Sequence, residues 1–264
     1  MTENVAVVVS NDNTNVSVYE TIDAIKDAGF KKVFIQWYNK DWEVSQEEQL
    51  KYIKDKGLEI IFAHLGYKGI NDIWFEGSKG DLLVENYKND IKVCSLNGIS
   101  MVVMHLTSRS EAPLYNEIGL NRIKEIVDYA KSLDVVVAFE NTKIKGYLDY
   151  VISNIDNDNV GICLDSGHYH VHFNDELDWS LFKNRIYAVH IHDNDKSDDL
   201  HLLPFDGTLD WDAFIDNLRE SNYNGPITME LCYRNEYVNM SVEDFYKKGF
   251  EIGLKLDEMF RKEK

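Results

Sequence analysis

The chain has 264 residues, of which 44% are hydrophobic and 12% aromatic, and these proportions are typical of a globular protein. Its longest apolar runs stay well short of the roughly 18 residues that a membrane-spanning helix needs, so we expect no membrane association. The formal net charge of −18 would repel DNA, RNA and anionic membranes. A small neutral or metal-chelating substrate fits this charge better.

The cysteines and the first residues bear on the cellular compartment. Cys94, Cys163 and Cys232 form no CxxC pair and no even disulfide framework, a pattern that favours buried, reduced thiols. The first ten residues, MTENVAVVVS, lack a basic region and a small-residue cleavage site, so they indicate a first strand and not a secretory signal. We therefore expect a cytoplasmic protein.

Short apolar runs recur along the chain and predict its strands. Near-continuous apolar runs are typical of strands buried on both faces of a parallel sheet. The eight runs are, in order, VAVVV, KVFIQ, LEIIFAH, SMVVMH, VVVAFE, VGICLD, IYAVHIH and PITMEL. Most are separated by stretches with helical spacing, such as Ile123, Ile126, Val127, Ala130 and Leu133.

Three predicted helices end alike, in a glycine that precedes the next strand. Gly29, Gly57 and Gly98 each suit the left-handed position that turns a chain out of a helix. Repeated strand–helix–Gly units and a length near the roughly 250 residues of a TIM barrel predict one α/β domain over residues 1–264, a (β/α)8 TIM barrel with parallel strands. The alternative is an open doubly wound sheet, but VVSNDNTN after the first strand lacks a Gly-rich phosphate turn.

The ends of these runs carry residue types that ligate metals. In a parallel barrel all strand C-termini meet on one face, where active sites lie, so these side chains are expected to meet there. The strand-end candidates are His64, His105, Glu140, Asp165, Glu230 and, on the seventh run, His190 with His192. Four ionisable groups at the ends of buried strands would be costly if left unpaired, which favours a site formed by Glu140, Asp165, His190 and Glu230.

Loops beyond the strand ends add His168, Asp199 and His201 as ligands of metal or substrate. Imidazole and carboxylate without paired thiolates favour zinc or manganese, with cobalt or iron as alternatives. The structural alternative is that Asp165 caps the following helix and that the histidines, including His170 and His172, are ordinary core or loop residues.

Several residues near the strand ends are candidates for contacting a substrate at the mouth of the barrel. Arg109 would suit a phosphate group, and Asn11 and Gln36 would hydrogen-bond hydroxyl groups. Ordinary loop packing is the alternative for each of them. The candidates are Asn11, Gln36, Trp37, Trp74, Arg109, His168 and His192.

Four short motifs together resemble the xylose isomerase-like barrel superfamily, which includes sugar-phosphate isomerases and epimerases and the endonuclease IV family. They are FEN at 139–141, LDSGH at 164–168, HIHD at 190–193 and MEL at 229–231. The resemblance spans nearly the whole chain in order. It implies that Glu140, Asp165, His190 and Glu230 hold one divalent metal.

The same resemblance implies a chemistry. In the epimerases the two glutamates, here Glu140 and Glu230, move protons on and off the carbon next to a metal-bound carbonyl through an enediolate, and His168 would touch the substrate. Paired carboxylates on opposite faces can exchange a proton with inversion at carbon. We therefore predict an isomerase or epimerase of a sugar, sugar phosphate or related polyol. A homodimer is the expected assembly, because the exposed helices of such barrels often pair.

Two alternatives stay open. The resemblance to endonuclease IV adds His64, His105, His168, Asp199 and His201 to the ligand set and implies zinc-dependent phosphodiester hydrolysis. Against it, the chain is strongly acidic and lacks basic, aromatic-tipped loops for opening duplex DNA, so we do not expect nucleic acid as a partner. The family's Leu-Gly-Glu-Gly is also replaced by Pro204 to Gly207 here. The other alternative is a barrel that binds metal or a small ligand without catalysis.

Overall fold

Eight parallel strands form the centre of the molecule. A computed structural model describes residues 4–10, 15–37, 44–108 and 112–262. The strands are β1 (Val5–Val9), β2 (Lys32–Trp37), β3 (Glu59–Leu65), β4 (Met101–Met104), β5 (Val136–Glu140), β6 (Val160–Asp165), β7 (Ile186–His190) and β8 (Ile227–Met229). All eight predicted strands are therefore present.

The strands lie in the order β7-β6-β5-β4-β3-β2-β1-β8, and every pair of neighbours is parallel. Beyond the last ladder, the backbone N–H of Ile191 donates to Thr228 O at 2.9 Å, and Glu230 N–H donates to Ile191 O at 3.0 Å. These bonds bring β7 against β8 and nearly close the sheet into a barrel. The predicted (β/α)8 fold is confirmed.

Helices alternate with the strands, as the apolar spacing predicts. The α-helices in the described residues are α1 (Val18–Ala28), α2 (Gln46–Asp55), α3 (Ser78–Leu96), α4 (Glu117–Ser132), α5 (Tyr147–Asn154), α6 (Ser166–Phe173), α7 (Trp179–Phe182), α8 (Trp211–Arg219) and α9 (Val242–Arg261). Short 3-10 helices span Ile70–Trp74 and Asn235–Tyr237. None of the described helices is long and apolar enough to cross a membrane.

Local sequence signals set several helix boundaries. Ser17 begins α1 with a capping box, in which its side chain accepts from Glu20 N–H and Glu20 accepts from Ser17 N–H. At the other ends, Gly29, Gly57 and Gly98 have φ of 113°, 69° and 79°. The predicted left-handed turns into β2, β3 and β4 are confirmed.

Alternation along the strands separates two cores. The larger core lies between the sheet and the helices, while a small set of side chains fills the inside of the barrel. This inner set is Val8, Phe34, Phe62, Val103, Ala138, Cys163 and Ala188. Five of these residues are followed two positions later, on the same inner face, by a ligand candidate: His64, His105, Glu140, Asp165 or His190. Ser10 and Gln36 hold the corresponding positions after Val8 and Phe34. The barrel floor therefore supports the polar cluster above it.

Candidate metal centre

Glu140, Asp165, His190 and Glu230 meet above the inner core. His190 Nδ1 lies 3.3 Å from Glu140 Oε2, 3.4 Å from Glu230 Oε2 and 3.8 Å from Asp165 Oδ2. The first three of these residues end β5, β6 and β7, and Glu230 follows β8 directly. All four are buried. The strand-end pattern thus brings together the four residues that it singled out.

The floor of the cluster is aromatic and fixes the His190 ring. Phe34 stacks on this imidazole with ring centroids 5.1 Å apart and an interplanar angle of 11°, and Phe62 lies 5.8 Å away. Cys163 also belongs to this inner layer, and burial raises the pKa of its thiol to about 12. It therefore serves as a neutral packing group. All three cysteines are buried and form no disulfide, as predicted.

Two further histidines surround Glu140 on the side of β3 and β4. His64 Nε2 lies 3.0 Å from Glu140 Oε2, and His105 Nε2 lies 3.3 Å from the same oxygen. His64 Nδ1 contacts the backbone oxygen of Leu65 at 3.0 Å, an arrangement that fixes the ring orientation as partners of metal-bound histidines do. Glu140 Oε2 is therefore shared by His64, His105 and His190.

Helix α6 adds His168 on the other side of Glu140. Asp165 is the N-cap of this helix, since its Oδ1 accepts from His168 N–H at 2.6 Å. His168 Nδ1 lies 3.0 Å from Glu140 Oε1, and its Nε2 lies 3.2 Å from Asp199 Oδ2. The helix-cap alternative for Asp165 is thus correct, and Asp165 also remains at the centre of the cluster.

The chain after β7 completes the polar cluster. His201 Nε2 lies 3.2 Å from Asp199 Oδ2, and His201 Nδ1 lies 3.9 Å from Glu230 Oε2. His192 stacks under His201 with ring centroids 4.0 Å apart, and its Nε2 lies 3.1 Å from Asp165 Oδ2. His192 is fully buried, and its Nε2 also lies 3.8 Å from Asp199 Oδ1 and 3.8 Å from Glu230 Oε2, so the structure places it within the polar cluster.

The cluster contains buried atoms without a hydrogen-bond partner among the described residues. They are His168 Nδ1, His190 Nδ1 and Nε2, His192 Nδ1 and Asp199 Oδ1. Potential ligand atoms also lie within 4.8 Å of one another in several groups of three, including Asp165, His190 and Glu230. Imidazole nitrogens and carboxylate oxygens that converge in this way, at ion-pair distances but without forming hydrogen bonds, fit a divalent metal.

The close packing of opposite charges alters the pKa values in the cluster. Burial raises the pKa of Glu140, but the imidazoles of His105 and His190 outweigh it and hold this pKa well below its usual value. Burial lowers the pKa of His190, whereas the Cys163 sulfur and the carboxylates of Glu230 and Glu140 raise it well above its usual value. For Asp165, the imidazoles of His168 and His192 oppose burial and lower the pKa to about 2. The carboxylates are therefore ionised, as metal ligands must be.

The residues predicted to contact a substrate at the mouth of the barrel do not all lie near the polar cluster. Gln36 shares the inner face with Phe34 and lies beside His64 in the strand register. Trp37, the next residue of β2, belongs to the outer core. Trp74 is 1% exposed and donates its indole N–H to Leu106 O at 2.7 Å. The two tryptophans are therefore packing residues and do not line the site.

None of the remaining candidates among the described residues joins the polar cluster, whereas Tyr67 contacts it. Asn11 and Arg109 lie outside the described residues. His170 contacts Asp175 and Thr208 and does not join the cluster. Tyr67, which no sequence pattern singled out, stacks on His105 with ring centroids 4.2 Å apart and an interplanar angle of 11°. Its place two residues after β3 is the one sequence signal that would have drawn attention to it.

Two curated relatives are similar to most of the chain. An uncharacterized protein y4fM of Sinorhizobium fredii is 32% identical over 67% of this chain, and the chain spans 60% of the length of that relative. An inosose isomerase of Bacillus licheniformis is 23% identical over 76% of this chain and 81% of its own length.

Solved structures share the fold, and a family model covers most of the sequence. The IolI protein, solved with a bound zinc atom, gives a TM-score of 0.77 at 17% identity over 98% of this chain and 100% of its own. A D-tagatose 3-epimerase-like protein gives 0.74 at 21% identity over 96% and 98%. The model of the xylose isomerase-like TIM barrel matches residues 22–255. The chain therefore belongs to the xylose isomerase-like TIM-barrel family.

Proposed function

We propose that this chain is a divalent-metal-dependent isomerase or epimerase of a sugar, sugar phosphate or related polyol. One observation carries the proposal: three carboxylates, from Glu140, Asp165 and Glu230, converge within 3.3–3.8 Å of the unpartnered His190 Nδ1. Relatives named inosose isomerase and a structural neighbour named D-tagatose 3-epimerase-like protein support this reaction class.

The metal would be held by Glu140, Asp165, His190 and Glu230, and zinc or manganese suits this set of ligands best. When bound, it would supply Lewis-acid polarisation of a substrate oxygen. Zinc has support from the zinc atom bound in the neighbouring IolI structure.

The two glutamates would move the proton. In this scheme a carboxylate of Glu230 or Glu140 removes the proton from the carbon next to the substrate carbonyl, and the other glutamate returns a proton to the opposite face. The side chain of Glu230 is 10% exposed and that of Glu140 is 2% exposed, so Glu230 is the more accessible base. His168 and Gln36 would orient substrate hydroxyl groups beside them.

The reaction can be tested without knowing the natural substrate. Metal-loaded protein is incubated in D2O with a panel of ketoses, cyclic polyol ketones and sugar phosphates, and proton NMR follows deuterium entering the carbon next to the carbonyl. We expect exchange with at least one compound, and Glu230→Gln should abolish it. Glu251→Gln, a change on the exposed face of α9, serves as the matched control. Exchange that is equally fast with Glu230→Gln would contradict the assigned role.

Metal-dependent phosphodiester hydrolysis is a second candidate, favoured by a separate observation. His64, His105, His168, Asp199 and His201 all contact the carboxylates of the central four residues or one another. A set of nine such ligands exceeds what one ion requires and suits several zinc ions, which would hold both the attacking and the leaving oxygen. Cleavage of an abasic-site duplex that disappears with His105→Ala would establish this activity.

Location and assembly belong to the same proposal. We place the enzyme in the cytoplasm because its three cysteines are buried and form no disulfide, which suits a reducing compartment. We propose a homodimer formed through the outer helices. Sedimentation analysis tests the assembly directly, since a single species with the mass of one chain would contradict it.

A further inference from the structure

The segment from 194 to 210, here called the ligand loop, connects the end of β7 to α8 and carries Asp199 and His201 to the candidate metal centre. Its backbone is strained at three residues other than glycine: Lys196, His201 and Phe205 have φ of 68°, 50° and 73°. Left-handed conformations cost free energy in such residues and persist only where surrounding contacts impose them. Contacts with the surrounding residues must therefore hold the ligand loop in this conformation.

Asp193, immediately before the ligand loop, supplies such contacts. Its carboxylate is buried and accepts four N–H groups from both ends of the loop and the start of α8. Oδ1 accepts from Asn194 N at 2.8 Å and Leu209 N at 3.2 Å, whereas Oδ2 accepts from Phe205 N at 3.0 Å and Trp211 Nε1 at 2.9 Å. Hydrogen bonds to an ionised acceptor are about twice as strong as neutral ones, so the loop is closed on this one carboxylate.

The backbone of Asp193 fixes the part of the loop that contains the ligands. It pairs with Leu202, the residue after His201, through two hydrogen bonds of 2.8 Å. Gly207 leaves space for the carboxylate, because a Cβ at this position would overlap Asp193 Oδ1 and Asn194 O. Asp193 alternates with His192 along the chain, so its side chain contacts the loop and not the metal cluster.

We propose that Asp193 is a positioning residue that holds Asp199 and His201 against His168 and Glu230. The proposal rests on the metal centre of the proposed function. It assigns to the last residue of the HIHD motif a role in loop geometry, while His190 of the same motif contacts the central carboxylates. Asp193→Asn is the direct test, since an amide NH2 would face N–H donors on one side of the loop.

The experiment compares wild type, Asp193→Asn and Asp195→Asn. Asp195 is the matched control because it lies on the same loop, is exposed and accepts hydrogen bonds from Ser197 alone among the described residues. In metal-free protein, hydrogen exchange of the loop amides should be at least about tenfold faster in Asp193→Asn, since the loop opens locally. Cobalt affinity, measured by chelator competition, should fall roughly 10- to 100-fold, as for other partners that orient metal ligands. The visible cobalt spectrum should change as well.

A milder variant keeps the test decisive if Asp193→Asn fails to fold. Trp211→Phe removes one of the four donors while retaining an aromatic ring, and we expect smaller changes of the same sign in loop exchange and cobalt affinity. If both Asp193 and Trp211 variants lower only the melting temperature, with loop exchange, cobalt affinity and spectrum as in wild type, the proposal is wrong. Wild-type protein that binds no cobalt would contradict the proposed function instead, and the metal-free exchange data would still decide the role of Asp193.

Discussion

Glu140 and Glu230 have different surroundings, and this difference leads to a prediction for each residue. Glu140 contacts His64, His105 and His190 through one oxygen, so Glu140→Gln should weaken metal binding more than Glu230→Gln does, in addition to removing one of the two proton-transfer groups. Glu230 is more accessible, so Glu230→Gln should lower kcat by about 10²–10⁴-fold, the usual contribution of general acid–base catalysis. Metal titration and steady-state kinetics on the exchange-active substrate measure the two effects.

The two glutamate variants serve as controls for each other. Each change removes one charge from the same cluster, so a general loss of stability would affect metal affinity and kcat alike in both proteins. We expect Glu140→Gln to lose more metal affinity than Glu230→Gln. At saturating metal, we expect Glu230→Gln to lose more kcat than Glu140→Gln. Identical profiles would mean that the glutamates do not divide these roles.

Gly167 illustrates how one residue in the LDSGH motif serves packing. A Cβ at this position would overlap the ring of His192, which is held between Asp165 and His201. Gly167→Ala should therefore lower the free energy of unfolding by about 1–3 kcal/mol, a common cost of overpacking. Urea denaturation of chelator-treated protein measures this change.

A double-mutant cycle identifies the cause of that loss. Gly167→Ala in a His192→Ala background should cost substantially less, because the clashing ring is gone. Equal costs in both backgrounds would show that Gly167 is required for another reason, such as the backbone of α6.

At the scale of secondary-structure elements, Asp165 joins two functions that can be separated. It caps α6 through Oδ1 and faces the metal cluster through Oδ2. Asparagine is an equally good N-cap. In chelator, Asp165→Asn should therefore keep the cap but lose the interaction of the charged carboxylate with the His168 and His192 imidazoles. Its free energy of unfolding, measured by urea denaturation, should lie between those of wild type and Asp165→Ala, whereas metal affinity should fall at least about tenfold. A stability loss as large as that of Asp165→Ala would show that the cap depends on the charge.

Residue patterns within single elements predict some parts of the site but not others. Alternation along β2 would have placed Trp37 on the outer face and Gln36 on the inner face, since Phe34 is two residues before Gln36. The position of Trp74 has no such signal, because it follows from the packing of a 3-10 helix against α4 and α5. Asp193 was missed for a similar reason: its four partners are 1 to 18 residues away along the chain, and only the folded loop brings them together.

At the scale of the whole molecule, the barrel was predictable because it follows from repeated local patterns. The apolar runs predicted the strands. The residue types at the strand ends predicted the cluster, because a parallel barrel collects all its C-terminal ends on one face. The path of the ligand loop did not follow from such a pattern, although its ligand residues were selected by type. That residues 1–264 form a single domain stays a prediction.

The net charge of −18 also has a consequence for the whole molecule. An anionic substrate would be repelled at low salt, whereas a neutral ketose would not. We expect kcat/KM for a neutral substrate to change little between about 0.05 M and about 0.5 M NaCl, where screening shortens from roughly 14 Å to 4 Å. A kcat/KM that rises steeply with salt would point instead to a phosphorylated substrate.

The central claim is that the strand-end cluster is a metal site, and metal content per chain tests it most directly. Protein is purified without chelator or added metal and measured by elemental mass spectrometry, with an Asp165→Asn, His190→Ala double variant as control. We expect at least one zinc, manganese, cobalt or iron ion per wild-type chain and a clear loss in the variant. Two or three zinc ions would favour the hydrolase. Wild-type protein without metal, even after reconstitution with excess zinc or manganese, would contradict the account.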